Sequence, residues 1–210
     1  MRKAYLTAAL LLVSAGGSTL IAQSAPPPAG TPGAHDTARV TGGTYTADPN
    51  HTQVLFGFNH MGFSNNMGIF AQATGTLTLD PKAPDQAKVD ITLPINSVAT
   101  GVPKFNEHLL SADFFDAAKF PTATFTSTSV KADLEDGEAE ITGNLTIKGV
   151  TKEVTLDAEF TGAGIQPMSK KETVGFSAQT IVKRSDFGLG KYVPLVGDTI
   201  ELKITAAFEK

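Results

Sequence analysis

The sequence predicts an all-β domain whose antiparallel strands close into a barrel of about eight strands, with one short helix covering an end. Three observations carry that expectation. Apolar and polar residues alternate with a period of two over many short runs, turn-forming pairs separate those runs, and small residues recur on the apolar face among large ones.

In chain order, Arg2 and Lys3 precede a short apolar run from Leu6 to Val13, and Ala22-Gln23-Ser24 offers a small-x-small cleavage site. This is the pattern of a cleavable export signal over residues 1–24, which predicts a periplasmic protein. A membrane span needs about 20 apolar residues. This run is interrupted by Gly16, Gly17 and Ser18 and no later stretch equals it, so no transmembrane segment is expected in the mature chain. Residues 25–43 are rich in Pro, Gly and Ala and are expected to form a disordered leader, with the barrel occupying 44–210.

The 210 residues are 41% hydrophobic and 18% charged, enough for one substantial core. A net charge of -4 leaves no basic surplus for phosphates, so no nucleic-acid partner is expected. With Cys 0 there is neither a disulfide framework nor a thiol for lipid attachment, and the core must suffice alone.

Within the barrel region, TQVLFGFNH places Val54, Phe56, Phe58 and His60 on one face, with Leu55 out of phase. AKVDITLPI aligns Val89, Ile91, Leu93 and Ile95; EVTLDAEF aligns Val154, Leu156, Ala158 and Phe160; TIELKITAAF aligns Ile200, Leu202, Ile204, Ala206 and Phe208. Reversals are expected at Asp80-Pro81, Glu135-Asp136-Gly137, Lys148-Gly149 and Gly197-Asp198. The one helical stretch is Val102 to Leu110, with Pro103 near its start and Phe105 and Leu109 on one side. Polar-out, apolar-in strands suit a closed sheet, because closure removes exposed edges.

Residue size on the inward face then matters, since a small barrel either fills with side chains or keeps room for one ligand. Continuing the alternation turns Phe70, Leu77, Phe125 and Phe176 inward together with the small Ala73, Ala123, Ser127, Ala139, Gly143, Ala158, Ala178 and Ala206. Interlocking of small with large residues is one outcome; a dry tunnel for an apolar chain is the other.

Five strings, in order, resemble the YceI-like family of periplasmic polyisoprenoid-binding proteins: YTADPNHTQVLFGFNHMGF from Tyr45, GTLTLDP from Gly75, HLLSADFFDAAKFPTATFTSTSV from His108, GNLTIKGVTKEVTLDAEF from Gly143 and KRSDFGLG from Lys183. The resemblance implies a lipocalin-like barrel that holds a long-chain isoprenoid, a quinone or its precursor, with the tail inside. On that reading the lumen is lined by Val54, Phe56, Phe58, Phe70, Leu77, Leu93, Phe105, Leu109, Phe114, Phe115, Phe125, Gly143, Leu156, Phe176, Ala178 and Ile204.

Polar candidates are few. His60 ends an inward-facing strand and is placed to meet a lipid head group, or to hold a turn. His51, in DPNH, reads as a turn residue. Arg184 and Asp186 in KRSDFG are candidate head-group contacts or a structural ion pair. Glu107, His108, Asp113 and Asp116 read as groups that pin the helix and the following loop, since adjacent helical residues do not face one another. No histidine spacing suits a metal, and no nucleophile elbow or dinucleotide loop is present, so no catalytic residue, metal or cofactor is expected. The sequence favours a binding protein. Two other readings remain: a lipid-modifying enzyme in the same barrel, and a protein with a filled lumen whose loops meet a membrane redox partner.

Overall fold

A computed structural model of the chain describes residues 30–133 and 135–210. The expected export signal, 1–24, lies outside the described residues.

The strands are β1 (Gly43–Ala47), β2 (Gln53–His60), β3 (Ser64–Phe70), β4 (Thr74–Leu79), β5 (Lys88–Pro94), β6 (Thr122–Asp133), β7 (Glu138–Ile147), β8 (Val150–Ile165), β9 (Glu172–Lys183) and β10 (Thr199–Glu209). All pair antiparallel. The sheet runs β1-β4-β5-β6-β7-β8-β9-β10 and closes because β10 also pairs with β1, through Thr46 with Glu209 and Ala47 with Phe208. That ring has eight members. β2 and β3 are the upper continuations of β1 and β4: β2 takes over the same edge of β10 from Thr205 onward, and β3 pairs with β2. The loop between β1 and β2 bulges out, and Thr52, almost wholly buried, holds the break closed by exchanging hydrogen bonds with the Ala207 backbone at 3.2 Å each way.

Closure explains the alternation. Each strand presents one apolar face to the interior and one polar face to water, and the eight-member ring has no open edge; the outer edge of β3 is met only at the Ile69–Ala99 bridge. Two bulges reset the phase. Between Ser127 and Ser129 in β6 the inward set changes from Ala123 and Phe125 to Val130 and Ala132, and between Phe160 and Gly162 in β8 it passes from Ala158 and Phe160 to Ala163. The β7–β8 turn is a two-residue hairpin in which Lys148 (φ 50) and Gly149 (φ 76) are both left-handed, the conformation a tight right-twisted hairpin requires.

The helix α1 (Pro103–Leu110) begins on Pro103, where a missing N–H costs nothing, and caps the upper end of the barrel. Its Leu109 is buried with Phe56, Phe70 and Ile95, and its Phe105 ring lies 6.3 Å from that of Phe58.

One expectation is corrected here. Residues 34–42, assigned by composition to a disordered leader, lie as an ordered strap across the lower end. Ala34 exchanges backbone hydrogen bonds with Ala163 (3.1 and 2.9 Å), the His35 ring packs 5.4 Å from Phe160, Asp36 caps a short 3-10 turn over Thr37–Arg39, and Val40 is buried in the lower core with Tyr45, Leu77 and Phe208. The strap runs over Gly162 and Gly164 of β8. A Cβ on Gly162 would come within 2.9 Å of the Ala34 carbonyl oxygen, and one on Gly164 would collide with that of Pro32. Low periodicity hid this segment; a few anchors suffice to hold it.

Candidate functional site

The barrel encloses a cavity of about 940 Å³ that runs nearly its full height, at the upper end of what small-molecule sites offer. Its walls are mostly apolar side chains from β2 to β10, β3 contributing Phe70. The register shows why it is open. Ala139 pairs with Ala158, Ala158 with Ala178, Ala178 with Ile204 and Ile204 with Val54, a row across five neighbouring strands in which three successive side chains stop at Cβ. Above and below, aromatic rings narrow the space: Phe56 packs 5.3 Å from Phe70, which meets Phe115 edge-on at 5.5 Å, and Phe160 packs 5.8 Å from Phe176. The small-residue row therefore widens a lumen that the phenylalanines bound at each end.

The lower end is floored by Thr37, Ala38 and Val40 of the strap, by Pro81, Pro84 and Ala87 of the β4–β5 connection, and by Asp133, Gly137 and Glu138 of the β6–β7 hairpin. A hydrogen-bond network ties the strap down. Glu172 accepts from Thr41 N (2.9 Å), Thr41 Oγ1 (2.6 Å) and the fully buried Tyr45 hydroxyl (2.5 Å), and pairs with Lys210 at 3.5 Å. Partial burial pushes the Glu172 carboxyl up, but the bonds from Thr41 and Tyr45 and the Lys210 charge outweigh it and hold the group at about 2. Burial and the facing carboxylate raise the Tyr45 hydroxyl to about 12.

The upper end is lined by His60 at the end of β2, Met61 of the β2–β3 turn, Phe105 and His108 of α1, Phe114 of the following loop, and Tyr192 and Val196 of the β9–β10 connection. Met61 N donates to Leu195 O at 3.1 Å, which joins the turn to the connection. His60 points into the cavity without a hydrogen-bond partner among the described residues. His108 stacks edge-on against Phe114 at 4.8 Å.

Fifteen of the sixteen residues expected to line the lumen do so: Val54, Phe56, Phe58, Phe70, Leu77, Leu93, Phe105, Leu109, Phe114, Phe115, Phe125, Leu156, Phe176, Ala178 and Ile204. Gly143 does not. It lies in an inward phase, but the Phe125 ring is folded over it, 2.5 Å from where a Cβ would stand.

Of the polar candidates, Asp186 is exposed and away from the cavity wall, and it forms no pair with Arg184. Arg184 lines the upper cavity but is engaged: Nε donates to Gly197 O (2.8 Å), Nη1 to Lys191 O (2.9 Å) and to Leu189 O, and Nη2 to Val196 O (2.8 Å). Four of five guanidinium N–H donors therefore hold the β9–β10 connection in shape. Burial lowers the Arg184 pKa from its ordinary value. The carboxylate nearby is Asp198, which accepts from Ser185 N (2.9 Å) and Oγ (2.7 Å). His51 is a turn residue, its Nδ1 2.5 Å from Asp48. Wall residues that alternation alone did not single out include Tyr192, Leu189, Phe187 and the strap, all in irregular segments without a period to read.

The family model described as the YceI-like domain matches residues 45–208. The chain belongs to the YceI-like family. Protein YceI of Salmonella arizonae is 44% identical over 155 residues, 74% of this chain and 80% of that one. Among solved structures, Burkholderia cenocepacia BcnA superposes with a TM-score of 0.68 at 26% identity, covering 77% of this chain and 98% of its own. A polyisoprenoid binding domain from Saccharophagus degradans, implicated in plant cell wall breakdown, superposes at 0.60 and 17% identity over 79% of this chain and 97% of its own, a likeness of fold alone. The eight-strand antiparallel lipocalin-like barrel is thus the YceI-like fold, and the YceI-like match begins at Tyr45, after the strap.

Proposed function

We propose that this chain is a binding protein that holds a long-chain isoprenoid lipid, a quinone or its precursor, in the barrel lumen, and that it is exported to the periplasm to do so. The observation that carries this reading is the cavity of about 940 Å³ walled by apolar side chains. Each CH₂ that leaves water for such a wall contributes about 0.8 kcal/mol, so a chain of a few isoprene units gains ample affinity without polar recognition. Shape supports an elongated guest, since the alanine row and the phenylalanine constrictions define a tube. The family membership and the fold shared with a polyisoprenoid binding domain support the guest's class.

The polar groups at the upper end suit holding a head group more than transforming it. Arg184 spends four of its five donors on backbone carbonyls, and the cavity-facing imidazoles of His60 and His108, neither with a side-chain hydrogen bond among the described residues, are left to donate to or accept from a lipid oxygen. Binding, not turnover, is therefore the activity proposed.

Solvent extraction of the freshly purified mature protein, followed by mass analysis, tests the reading. With Trp 0 and Tyr 3 the protein absorbs weakly in the near ultraviolet, so a bound quinone ring dominates the spectrum and a saturated or non-quinone isoprenoid appears only in the mass trace. An empty extract, together with no uptake of an added long-chain isoprenoid, overturns it.

A further inference from the structure

The two ends of the cavity differ in what surrounds them. At the lower end the β6–β7 hairpin carries Asp133, Glu135, Asp136 and Glu138, all exposed, beside the polar strap residue Thr37. At the upper end large apolar side chains are exposed beside the mouth. Phe63 at the tip of the β2–β3 turn is 89% exposed and Leu195 in the β9–β10 connection 68%, with Met61, Tyr192 and Val193 partly exposed beside them. The hydrogen bond from Met61 to Leu195 and the bridge between His60 and Val196 bring the two loops together, so these side chains form one patch. Met61 and Tyr192 belong both to this patch and to the cavity wall, which makes the patch continuous with the lumen.

We propose that this upper rim docks on a lipid bilayer, with Phe63 and Leu195 entering the interface and the cavity mouth set against it. The inference rests on the lipid-binding reading for its purpose, since an isoprenoid chain is bilayer-resident and passes into the lumen without crossing water only if the mouth meets the membrane. The physical argument is independent of cargo. Large apolar side chains held out on short, hydrogen-bonded loops gain by leaving water, and an interfacial anchor of this kind needs only shallow burial. The orientation follows from the apolar patch at the cavity mouth, and charge favours it. The lower end also carries cations, but Arg39, Lys171 and Lys210 there are paired with Asp36, Glu209 and Glu172, whereas the four hairpin carboxylates form no ion pair among the described residues and are repelled by an anionic leaflet. The upper end carries both signs, with Lys148, Lys191, Asp113 and Asp198.

The molecule supplies its own control. Met168, 88% exposed in the β8–β9 turn, is as apolar and as accessible as Phe63 but sits at the opposite end of β9 and does not line the cavity.

The experiment is flotation of the mature full chain with vesicles of phosphatidylethanolamine and phosphatidylglycerol in a 3:1 ratio, roughly a bacterial balance of neutral and anionic lipid. Wild type is expected to float with the vesicles. Phe63→Ser with Leu195→Ser is expected to reduce the bound fraction roughly tenfold or more; because both side chains are exposed, circular dichroism and the melting temperature stay unchanged. Met168→Ser floats as wild type. A lumen-filling Ala178→Phe variant floats as well but takes up no isoprenoid, which separates docking from cargo. The proposal is overturned if wild type stays in solution, if the double variant floats equally, if Met168→Ser loses as much, or if the rim instead mediates concentration-dependent self-association without vesicle binding. Failure of isoprenoid uptake alone, with flotation intact, overturns the cargo reading and leaves the docking surface standing.

Discussion

Ala158 and Ala178 face one another across the β8–β9 pair, each with a single methyl where the neighbouring inward pair, Phe160 and Phe176, carries two rings. The contrast between adjacent rungs of one ladder decides whether the barrel is a packed core or a container. Replacing either alanine by a large residue should therefore convert one into the other.

Ala178→Phe is expected to abolish uptake of long-chain isoprenoid while preserving the β-sheet spectrum. The ring projects into open space, so the overpacking cost stays at or below about 1–3 kcal/mol. Gly143→Leu behaves differently. Its Cβ would stand 2.5 Å from the Phe125 ring and 2.6 Å from the Thr126 carbonyl oxygen, so it must displace both. Its melting temperature should fall well below that of Ala178→Phe in the same scan. Equal melting of the two would mean that Phe125 swings freely and that Gly143 is lumen wall after all.

Stability should depend on acid pH through Glu172. Its folded carboxyl titrates at about 2 against an ordinary value of 4.5, so the unfolded chain binds the proton first. The stabilisation is fully present above about pH 4.5 and is lost as pH falls toward 2, a span on the order of 2 kcal/mol. Urea unfolding between pH 6 and 2 measures it. Glu172→Gln should be less stable at pH 6 and show a flatter acid limb, since it still faces Thr41 and Tyr45 but carries no charge toward Lys210.

The strap should come away by a change made outside it. Gly164 has no left-handed φ, so a side chain there suits β8 itself and offends only the Pro32 carbonyl and Gly33 Cα above it. Gly164→Val is expected to lift residues 34–42 from the barrel end and to speed tryptic cleavage after Arg39 by about tenfold. The stability loss should be about 1–3 kcal/mol, the range for losing Val40 from the lower core together with a few hydrogen bonds. Unchanged cleavage would place the anchor elsewhere, at Thr41 and Glu172.

Much of this architecture was legible because period two is a direct record of which face meets water. Val54, Phe56 and Phe58, or Leu156 and Ala158, could be phased from neighbours alone, and the exposed Leu55 departs from the pattern as expected. The bulges at Ser127/Ser129 and Phe160/Gly162 could not be read, because one inserted residue leaves no local composition signal yet exchanges inside for outside beyond it. The strap escapes detection for a related reason: a segment held by Val40, one packed histidine, two backbone bonds and the Thr41–Glu172 hydrogen bonds has no repeat to detect. Arg184 was read beside Asp186 in sequence, whereas its partners are carbonyls brought round by the fold of a connection that ends at Asp198.

Arg184 offers the sharpest test of what shapes the upper rim. The residue is 7% exposed and its guanidinium ties Leu189, Lys191, Val196 and Gly197 into one turn of chain. Lysine keeps the charge but has three donors on one atom and no planar fork, so it cannot reach carbonyls spread around the plane. Arg184→Lys is therefore expected to cost on the order of 3 kcal/mol, since buried carbonyls left without donors cost about 1–3 kcal/mol each and water recovers part of that. The loss should be local before it is global. Amide exchange should accelerate across residues 189–197 while β7 and β8 stay protected, and vesicle flotation should weaken because Leu195 is no longer held beside Met61. If exchange instead rises uniformly, the arginine supports the barrel as a whole and the rim owes its shape to the Met61–Leu195 bond.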